Sequence, residues 1–136
     1  MHLPITLTIA AAIAVLYVWH FVRCVRGRFR YGVSIGDGDN LVMRTRMRAH
    51  ANFTETAPLF LILLALVEIV GGTRDWLLWV GIAFVVSRII HAFGMERKAP
   101  NPFRAGGILV SAGLIVTLAA YAVILSYQAN TPTMLG

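Results

Sequence analysis

Polar residues of complementary chemistry enter an otherwise apolar run at residues 41–70. They are Arg44, Arg48, Asn52 and Glu55, two guanidinium groups, an amide and a carboxylate. At about 100° per residue, the four positions lie within less than a quarter-turn of one helix face. A charged face directed at lipid is costly, so this polar stripe predicts contact with another helix or with a ligand. An Arg48–Glu55 pair bridged by Asn52, which would only hold helices together, remains open as the alternative.

A second group of polar residues lies in the apolar segment at 75–93. Arg88 and His91 are three positions apart and therefore share a helix face. Arg88 needs an acidic or anionic partner inside the membrane, and Glu55 is the carboxylate expected at comparable depth. Glu68 is expected nearer the opposite end of its helix. For His91, a hydrogen-bonded packing role remains open.

Arg104 follows the sequence APNP at the expected start of the last helix. The helix macrodipole favours anions at this end, so an arginine there runs against the usual preference. The free amides of the first turn and the guanidinium can, however, bind an anion together. An interfacial arginine whose side chain reaches the headgroups is the alternative.

Other kinds of site receive little support from the sequence. No Ser-His-Asp arrangement, phosphate-binding glycine loop or paired-carboxylate motif stands out. We predict no metal site, because the 4 histidines are scattered and form no His-Glu-x-x-His pattern. The single cysteine, Cys24, excludes an internal disulfide and a metal site built from cysteines.

The composition is that of a membrane protein. Of 136 residues, 58% are hydrophobic and 13% are charged, and the mean hydropathy is +0.74. A soluble domain of this size could not bury so much apolar surface. The net charge of +6 does not predict nucleic-acid binding, because the arginines cluster at the ends of apolar segments, as topology signals do.

We therefore predict an all-α integral membrane protein, with one domain over residues 1–136 and four transmembrane helices. The helices are expected at residues 3–25, 41–70, 75–93 and 103–127. Asp39 or Asn40 is expected to cap the second helix, and Asp75 the third. The first helix lacks a charged leading region and a small-residue cleavage site, so we expect it not to be a cleaved signal peptide.

The basic residues predict the orientation of this bundle. Ten of the 12 Lys and Arg residues flank the first and third connectors, which lie on the same side. By the positive-inside rule, these connectors are cytoplasmic and both termini are outside. Thirty residues extend roughly 45 Å as a helix, beyond a hydrocarbon core of about 30 Å. The arginine-rich start of the second helix therefore projects into the cytoplasm, which places the polar stripe near that interface.

The segment RMRAHANFTETAPLFLILLALVEI resembles the signature of the membrane-associated proteins in eicosanoid and glutathione metabolism, the MAPEG family. An R-A-x-x-N-x-x-E pattern opens the second of four helices in that family, and Arg48, Ala49, Asn52 and Glu55 match it here. The segment SRIIHAFG and the arginine that starts the fourth helix are also similar to the family. The resemblance covers nearly the whole chain.

The resemblance implies a homotrimer that binds glutathione as co-substrate between adjacent subunits, open to the cytoplasm. It implies that Arg48, Asn52 and Glu55 hold the peptide, with Glu55 facing its amino group. Arg104 matches the arginine that stabilises the thiolate. The remaining expected glutathione-binding residues are Arg28, Arg30, Arg88 and His91.

This chain departs from several relatives at positions where they carry tyrosine. Met95 lies one helical turn after His91, Phe93 is close to another tyrosine position, and Thr56 follows the glutamate. These departures weaken the inference to strong thiol activation and argue against a leukotriene or prostaglandin role. The short loops and compact length are typical of a bacterial inner-membrane member of the family.

The sequence leads to three functional hypotheses. The first is a glutathione-dependent transferase or peroxidase acting on hydrophobic electrophiles or lipid hydroperoxides that enter from the bilayer. The second is a non-catalytic trimer that binds lipid or thiol, or an accessory subunit of a membrane complex. The third is an ion or proton carrier that uses Glu55, Arg88 and His91.

Overall fold

The computed structural model describes residues 2–98 and 100–130, which contain four α-helices and no strand. The helices are α1 (Pro4–Tyr31), α2 (Leu41–Gly71), α3 (Asp75–Met95) and α4 (Pro102–Asn130). Each is long and apolar enough to cross a bilayer. The predicted all-α architecture is therefore confirmed. Residues 1, 99 and 131–136 of the predicted domain lie outside the described residues.

Helices α2 and α3 form the centre of the bundle. Both contact α1 and α4, whereas α1 and α4 lie on opposite sides of the central pair. Phe60 of α2 and Phe84 of α3 stack with ring centroids 3.9 Å apart at the core. In the most apolar stretch of each helix, 44% of residues are buried in α3 and 17% in α4. The fourth helix therefore leaves most of its surface outside the core of this chain.

Helix α1 is longer than predicted. The expected end near residue 25 is wrong, because the helix continues through Arg28 and Arg30 to Tyr31. Gly32 ends it with φ of 65°, a left-handed conformation that suits glycine, and its N–H bonds to the Arg28 carbonyl. The basic last turn complements the negative end of the helix dipole. The arginines expected on a loop thus project on helical turns.

The N-cap predicted for α2 is confirmed, whereas the N-cap predicted for α3 is wrong. Of the two expected residues, Asn40 caps α2, and its side-chain oxygen accepts a hydrogen bond from the Met43 amide at 3.0 Å. At α3 the N-cap is Arg74, and Asp75 is the first residue of the helix. Asp75 therefore contributes its negative charge near the positive end of the dipole, without acting as the cap.

Glu68, near the end of α2, caps the start of a different helix. Its carboxylate accepts hydrogen bonds from the backbone amides of Ile5 at 3.1 Å and Thr6 at 2.8 Å. The hydroxyls of Thr6 and Thr73 donate to it at 2.6 Å and 3.1 Å. The first amides of a helix have no partner within that helix. The buried Glu68 supplies one to α1, and so joins the two helices on the side opposite the polar stripe.

We expect Glu68→Gln to lower the stability of the protein by about 2 kcal/mol, because an amide replaces a charged acceptor of several hydrogen bonds. Reversible unfolding in detergent, followed by circular dichroism, measures this loss. Glu55→Gln is the matched control, since Glu55 is exposed on the same helix, and it should change stability by less than about 0.5 kcal/mol. Equal effects of the two substitutions would contradict the capping role.

Candidate functional site

Arg88 is buried between the central helices with an incomplete set of hydrogen bonds. Its side chain is 1% exposed. Nη1 donates to the Asn52 side-chain oxygen at 2.9 Å and to the Thr56 hydroxyl at 3.2 Å. Nε and Nη2 are buried with no partner among the described residues. A guanidinium group has five N–H donors, so this one retains capacity to bind acceptor oxygens.

The polar stripe of α2 divides into an inner and an outer edge. Asn52 and Thr56 are one turn apart, separated by about 40° around the helix, and both reach Arg88. Arg48 and Glu55 lie on the other side of Asn52 and are exposed. The inner edge thus holds the buried cation, and the outer edge presents a cation and a carboxylate at the surface.

The ion pair expected between Arg88 and Glu55 is therefore wrong for the isolated chain. Arg88 is bound by Asn52 and Thr56 and not by Glu55, because the carboxylate lies on the outward edge of the stripe. The alternative, an Arg48–Glu55 pair bridged by Asn52, is also not formed among the described residues. Among the described residues, the salt bridges involve other groups.

His91 joins the end of α3 to the start of α4. Its Nδ1 lies 3.0 Å from the backbone carbonyl of Arg104, to which an N–H at that position donates. Gly107 makes this contact possible, because a Cβ there would lie 2.6 Å from the His91 Cβ. Asn101 caps α4, and its side-chain oxygen accepts from the Phe103 amide at 2.9 Å. The side chain of Arg104 is exposed on this first turn.

The expected arginines of the first connector lie apart from the residues that surround Arg88. Arg28 donates to the carbonyls of Ser34 at 3.0 Å and Gly36 at 3.4 Å, and so orders its own loop. Arg30 lies 5.9 Å from the ring centre of Tyr31. Within this chain, neither is brought to Asn52 or Arg88.

His20 on α1 belongs to the same buried interior and was missed from the sequence. It is 2% exposed, and its Nε2 has no partner among the described residues. Its ring stacks on Phe53 with centroids 5.2 Å apart. The sequence does indicate that His20 is buried, because it continues the helical series of buried residues formed by Ile9, Ile13 and Leu16.

A charged cluster, made of Arg23, Arg46 and Glu96, joins three helices at the arginine-rich end. The Glu96 carboxylate accepts from Arg23 at 2.5 Å and from Arg46 at 2.7 Å. Burial favours the protonated form, but the hydrogen bonds and charges of the two arginines outweigh it and hold the pKa of Glu96 below its ordinary value. Glu96 therefore remains ionised at neutral pH.

This arrangement suits an anionic ligand better than a metal ion. In residues 2–98 and 100–130, no group of three or more His, Cys, Asp or Glu residues could hold a metal. The interior instead brings together the Arg88 cation and two imidazoles, those of His20 and His91. An anion that reached this region would meet unfilled guanidinium donors in a poorly solvated environment, where charge-assisted hydrogen bonds are strong.

The fold and this region together define a four-helix integral membrane protein with a polar site between its helices. The chain belongs to the MAPEG family, whose model matches residues 6–124. Proteins of this family are often related to glutathione.

Two curated relatives are inner membrane proteins. The chain is 29% identical over 83 residues to Inner membrane protein YecN of Escherichia coli strain K12. It shows the same identity over the same length to Inner membrane protein YecN of Escherichia coli O6:H1 strain CFT073. The match covers 60% of this chain and 63% of each relative, less than two thirds of their length.

We expect substitutions of Arg88 and of its partner Asn52 to affect the stability of the protein differently. Arg88→Met should leave stability unchanged or raise it in the absence of ligand, because it removes a buried charge with unfilled donors. Asn52→Leu should lower it by about 2 kcal/mol, because it takes an acceptor from the buried guanidinium. Unfolding in detergent measures both effects.

The double substitution is the control for this prediction. Without the guanidinium, Asn52→Leu has no charge to leave unpaired, so most of its cost should disappear in an Arg88→Met background. A loss of stability that is the same in both backgrounds would show that Asn52 acts through packing alone.

Proposed function

We propose that the protein is a glutathione-dependent transferase or peroxidase that acts on hydrophobic electrophiles or lipid hydroperoxides. The observation that carries this proposal is the Arg88 guanidinium, buried between α2 and α3 with Nε and Nη2 unpartnered. Its anchor is Asn52, a residue of the segment that resembles the family signature. Glutathione, with two carboxylates and a thiolate, supplies the acceptor groups that such a cation binds.

The two edges of the polar stripe suit different groups of this peptide. Glu55 is exposed and so is available for the amino group, and Arg48 beside it for a carboxylate. Arg88 and His91 extend the site inward, with Asn52 orienting Arg88. Arg28 or Arg30, on the last turn of α1, reaches a carboxylate from the cytoplasmic side. In this scheme the bound peptide supplies the partners that the outer edge lacks among the described residues of one chain.

Arg104 is assigned the chemical role of stabilising the thiolate. A thiol of pKa about 8.5 is mostly protonated at neutral pH, whereas only the thiolate attacks electrophiles well. Lowering that pKa by about two units requires roughly 2.7 kcal/mol of preferential interaction with the anion. The Arg104 guanidinium and the positive end of the α4 dipole act in the same direction. His91 fixes the turn that carries Arg104 through its contact with the Arg104 carbonyl.

Exposure of Arg48, Glu55 and Arg104 on one chain favours a site that a neighbouring subunit closes. We propose a homotrimer in the bacterial inner membrane, with sites between subunits that open towards the cytoplasm. The large lipid-facing surface of the helices allows the hydrophobic substrate to enter laterally. The two relatives described as inner membrane proteins support this location.

A second function, a non-catalytic trimer that binds lipid or thiol or serves as an accessory subunit, has one observation in its favour. Phe93, close to a position where relatives have tyrosine, packs its ring 5.6 Å from Trp19 and 5.7 Å from the Arg23 guanidinium. This position therefore has a packing role and offers no hydroxyl for thiol activation. Glutathione binding without turnover would favour this function.

We expect glutathione to bind the detergent-purified protein, and Arg88→Met to weaken that binding at least about tenfold, because charge-assisted hydrogen bonds are lost. Isothermal titration calorimetry measures the affinity. Arg74→Met is the matched control, since Arg74 is exposed at the opposite end of the bundle, and its affinity should equal that of the wild type. No binding to intact, folded oligomers would refute the proposed function.

A second measurement tests the chemistry at Arg104. Arg104→Ala should reduce turnover far more than binding, because the interaction grows as negative charge develops on sulfur. Arg104→Lys should recover part of the loss, since it retains the charge without the planar fork. The ultraviolet absorbance of the bound thiolate, followed across pH, reports the shift directly. An unchanged thiol titration in Arg104→Ala would exclude the catalytic role of Arg104.

The proposed orientation is tested by cysteine labelling. Cys24 is buried 3.9 Å from His50, so it is first replaced by serine to leave no background thiol. In intact cells, an impermeant thiol reagent should label a cysteine at Thr73 and leave one at Ser34 unlabelled. Both positions are exposed in connectors, so burial does not account for the contrast. The reverse pattern would place the site on the other side of the membrane.

A further inference from the structure

An apolar groove of about 550 Å³ runs along the exposed surface of the chain between α1 and α3. Its walls are Ala12, Val15 and Trp19 on α1 and Val85, Ile89 and Phe93 on α3. Val15 is 71% exposed, so the groove is open to the bilayer. A linear hydrocarbon chain matches such a surface in both shape and polarity.

The groove ends at a cation. Trp19 and Phe93 close it with ring centroids 5.6 Å apart. The guanidinium of Arg23 lies over both rings, 4.4 Å from the centre of Trp19 and 5.7 Å from that of Phe93. Tryptophan and arginine are typical of the level where acyl chains meet headgroups. The apolar wall and the positive end are therefore continuous.

The charge of Arg23 is only partly balanced within the chain. Its Nη2 pairs with Glu96 at 2.5 Å, but the same carboxylate oxygen also binds Arg46 at 2.7 Å. Two cations thus share one anion. Nη1 of Arg23 is buried with no hydrogen-bond partner among the described residues. The end of the groove therefore has a net positive charge.

The opposite side of α1 provides a comparison. A groove of about 600 Å³ lies there between α1 and α2, with Ala14, Tyr17, Thr54 and Pro58 among its walls. None of the described residues that line it is charged. The walls of the α1–α3 groove are also uncharged. Among the described residues, however, a guanidinium lies over aromatic wall residues of the α1–α3 groove and not over those of the α1–α2 groove.

We propose that the α1–α3 groove is a binding site for an anionic phospholipid, with an acyl chain against the groove and the phosphate at Arg23. An amphiphile is required, because the apolar wall and the cation form one surface within the membrane. The negative headgroup complements the charge that Glu96 leaves unbalanced. This site is separate from the proposed glutathione function and does not depend on it.

Lipid retention by the full-length oligomer tests the proposal. The protein is purified in mild detergent, supplied with phosphatidylglycerol or phosphatidylcholine, and analysed by native mass spectrometry. Phosphatidylglycerol should be retained preferentially. Ala12→Leu, which fills the groove at the end distant from Arg23, should weaken retention. Ala14→Leu, the same change two residues away in the α1–α2 groove, should leave retention unchanged.

Two substitutions that break the same ion pair should have opposite effects. Arg23→Gln should weaken phosphatidylglycerol retention about fivefold, the factor that corresponds to roughly 1 kcal/mol per basic residue at an anionic surface. Glu96→Gln should strengthen retention, because it removes the anion that competes for Arg23. Arg26→Gln is the control for general charge, since Arg26 is exposed on the same helix, and its effect should be smaller than that of Arg23→Gln.

Several results would overturn the proposal. Shifts in the same direction for Arg23→Gln and Glu96→Gln would show that the pair is only structural. Equal losses for Ala12→Leu and Ala14→Leu would indicate unspecific lipid contact. Retention of inorganic phosphate equal to that of phosphatidylglycerol would show that the site binds an anion without using an acyl chain. A changed oligomeric mass for Ala12→Leu, with lipid retention unchanged, would assign the groove to a second copy of the chain.

Discussion

A single buried cation constrains the centre of this bundle. Placing a guanidinium group inside a membrane protein costs several kcal/mol unless acceptors surround it. Arg88 obtains only part of this compensation, from the amide of Asn52 and the hydroxyl of Thr56. Those two hydrogen bonds connect α3 to the inner edge of the polar stripe on α2. The donors that stay unpartnered make the centre of the bundle receptive to an anion.

The polar contacts of the bundle occur at different depths and have different consequences. At one end, the Glu68 carboxylate caps α1; at the other, Glu96 joins Arg23 and Arg46. Both carboxylates have several donors, so they fix the helices without leaving strong unused binding capacity of their own. Arg88 lies between them, and its Nε and Nη2 donors have no partner among the described residues. Rigid contacts at both ends therefore surround a centre that is incompletely satisfied.

The helices were predictable from the sequence because length and apolar content determine membrane spans. The end of α1 was not predictable from apolar content, because the last turns of this helix are polar and continue as far as Gly32. Local motifs singled out Asn52 and Arg88, which the structure brings into contact, and their role in ligand binding stays a prediction. The partner of Arg88 was not predictable. Helical spacing places Asn52 and Glu55 on one face of α2, but the packing of α3 against α2 decides which edge of that polar stripe turns inward. Thr56 was treated only as a missing tyrosine, yet its hydroxyl binds Arg88.

The cap that Glu68 provides also constrains how the chain enters the membrane. Ribosomes deliver the first helix before the second, so the amides of Ile5 and Thr6 emerge without the carboxylate that they bind in the native state. That carboxylate lies near the far end of α2, after its long apolar stretch. The start of α1 is therefore completed only when α2 has crossed the bilayer. The α1–α2 hairpin is therefore the shortest segment of the growing chain that contains both the amides and the carboxylate of this cap.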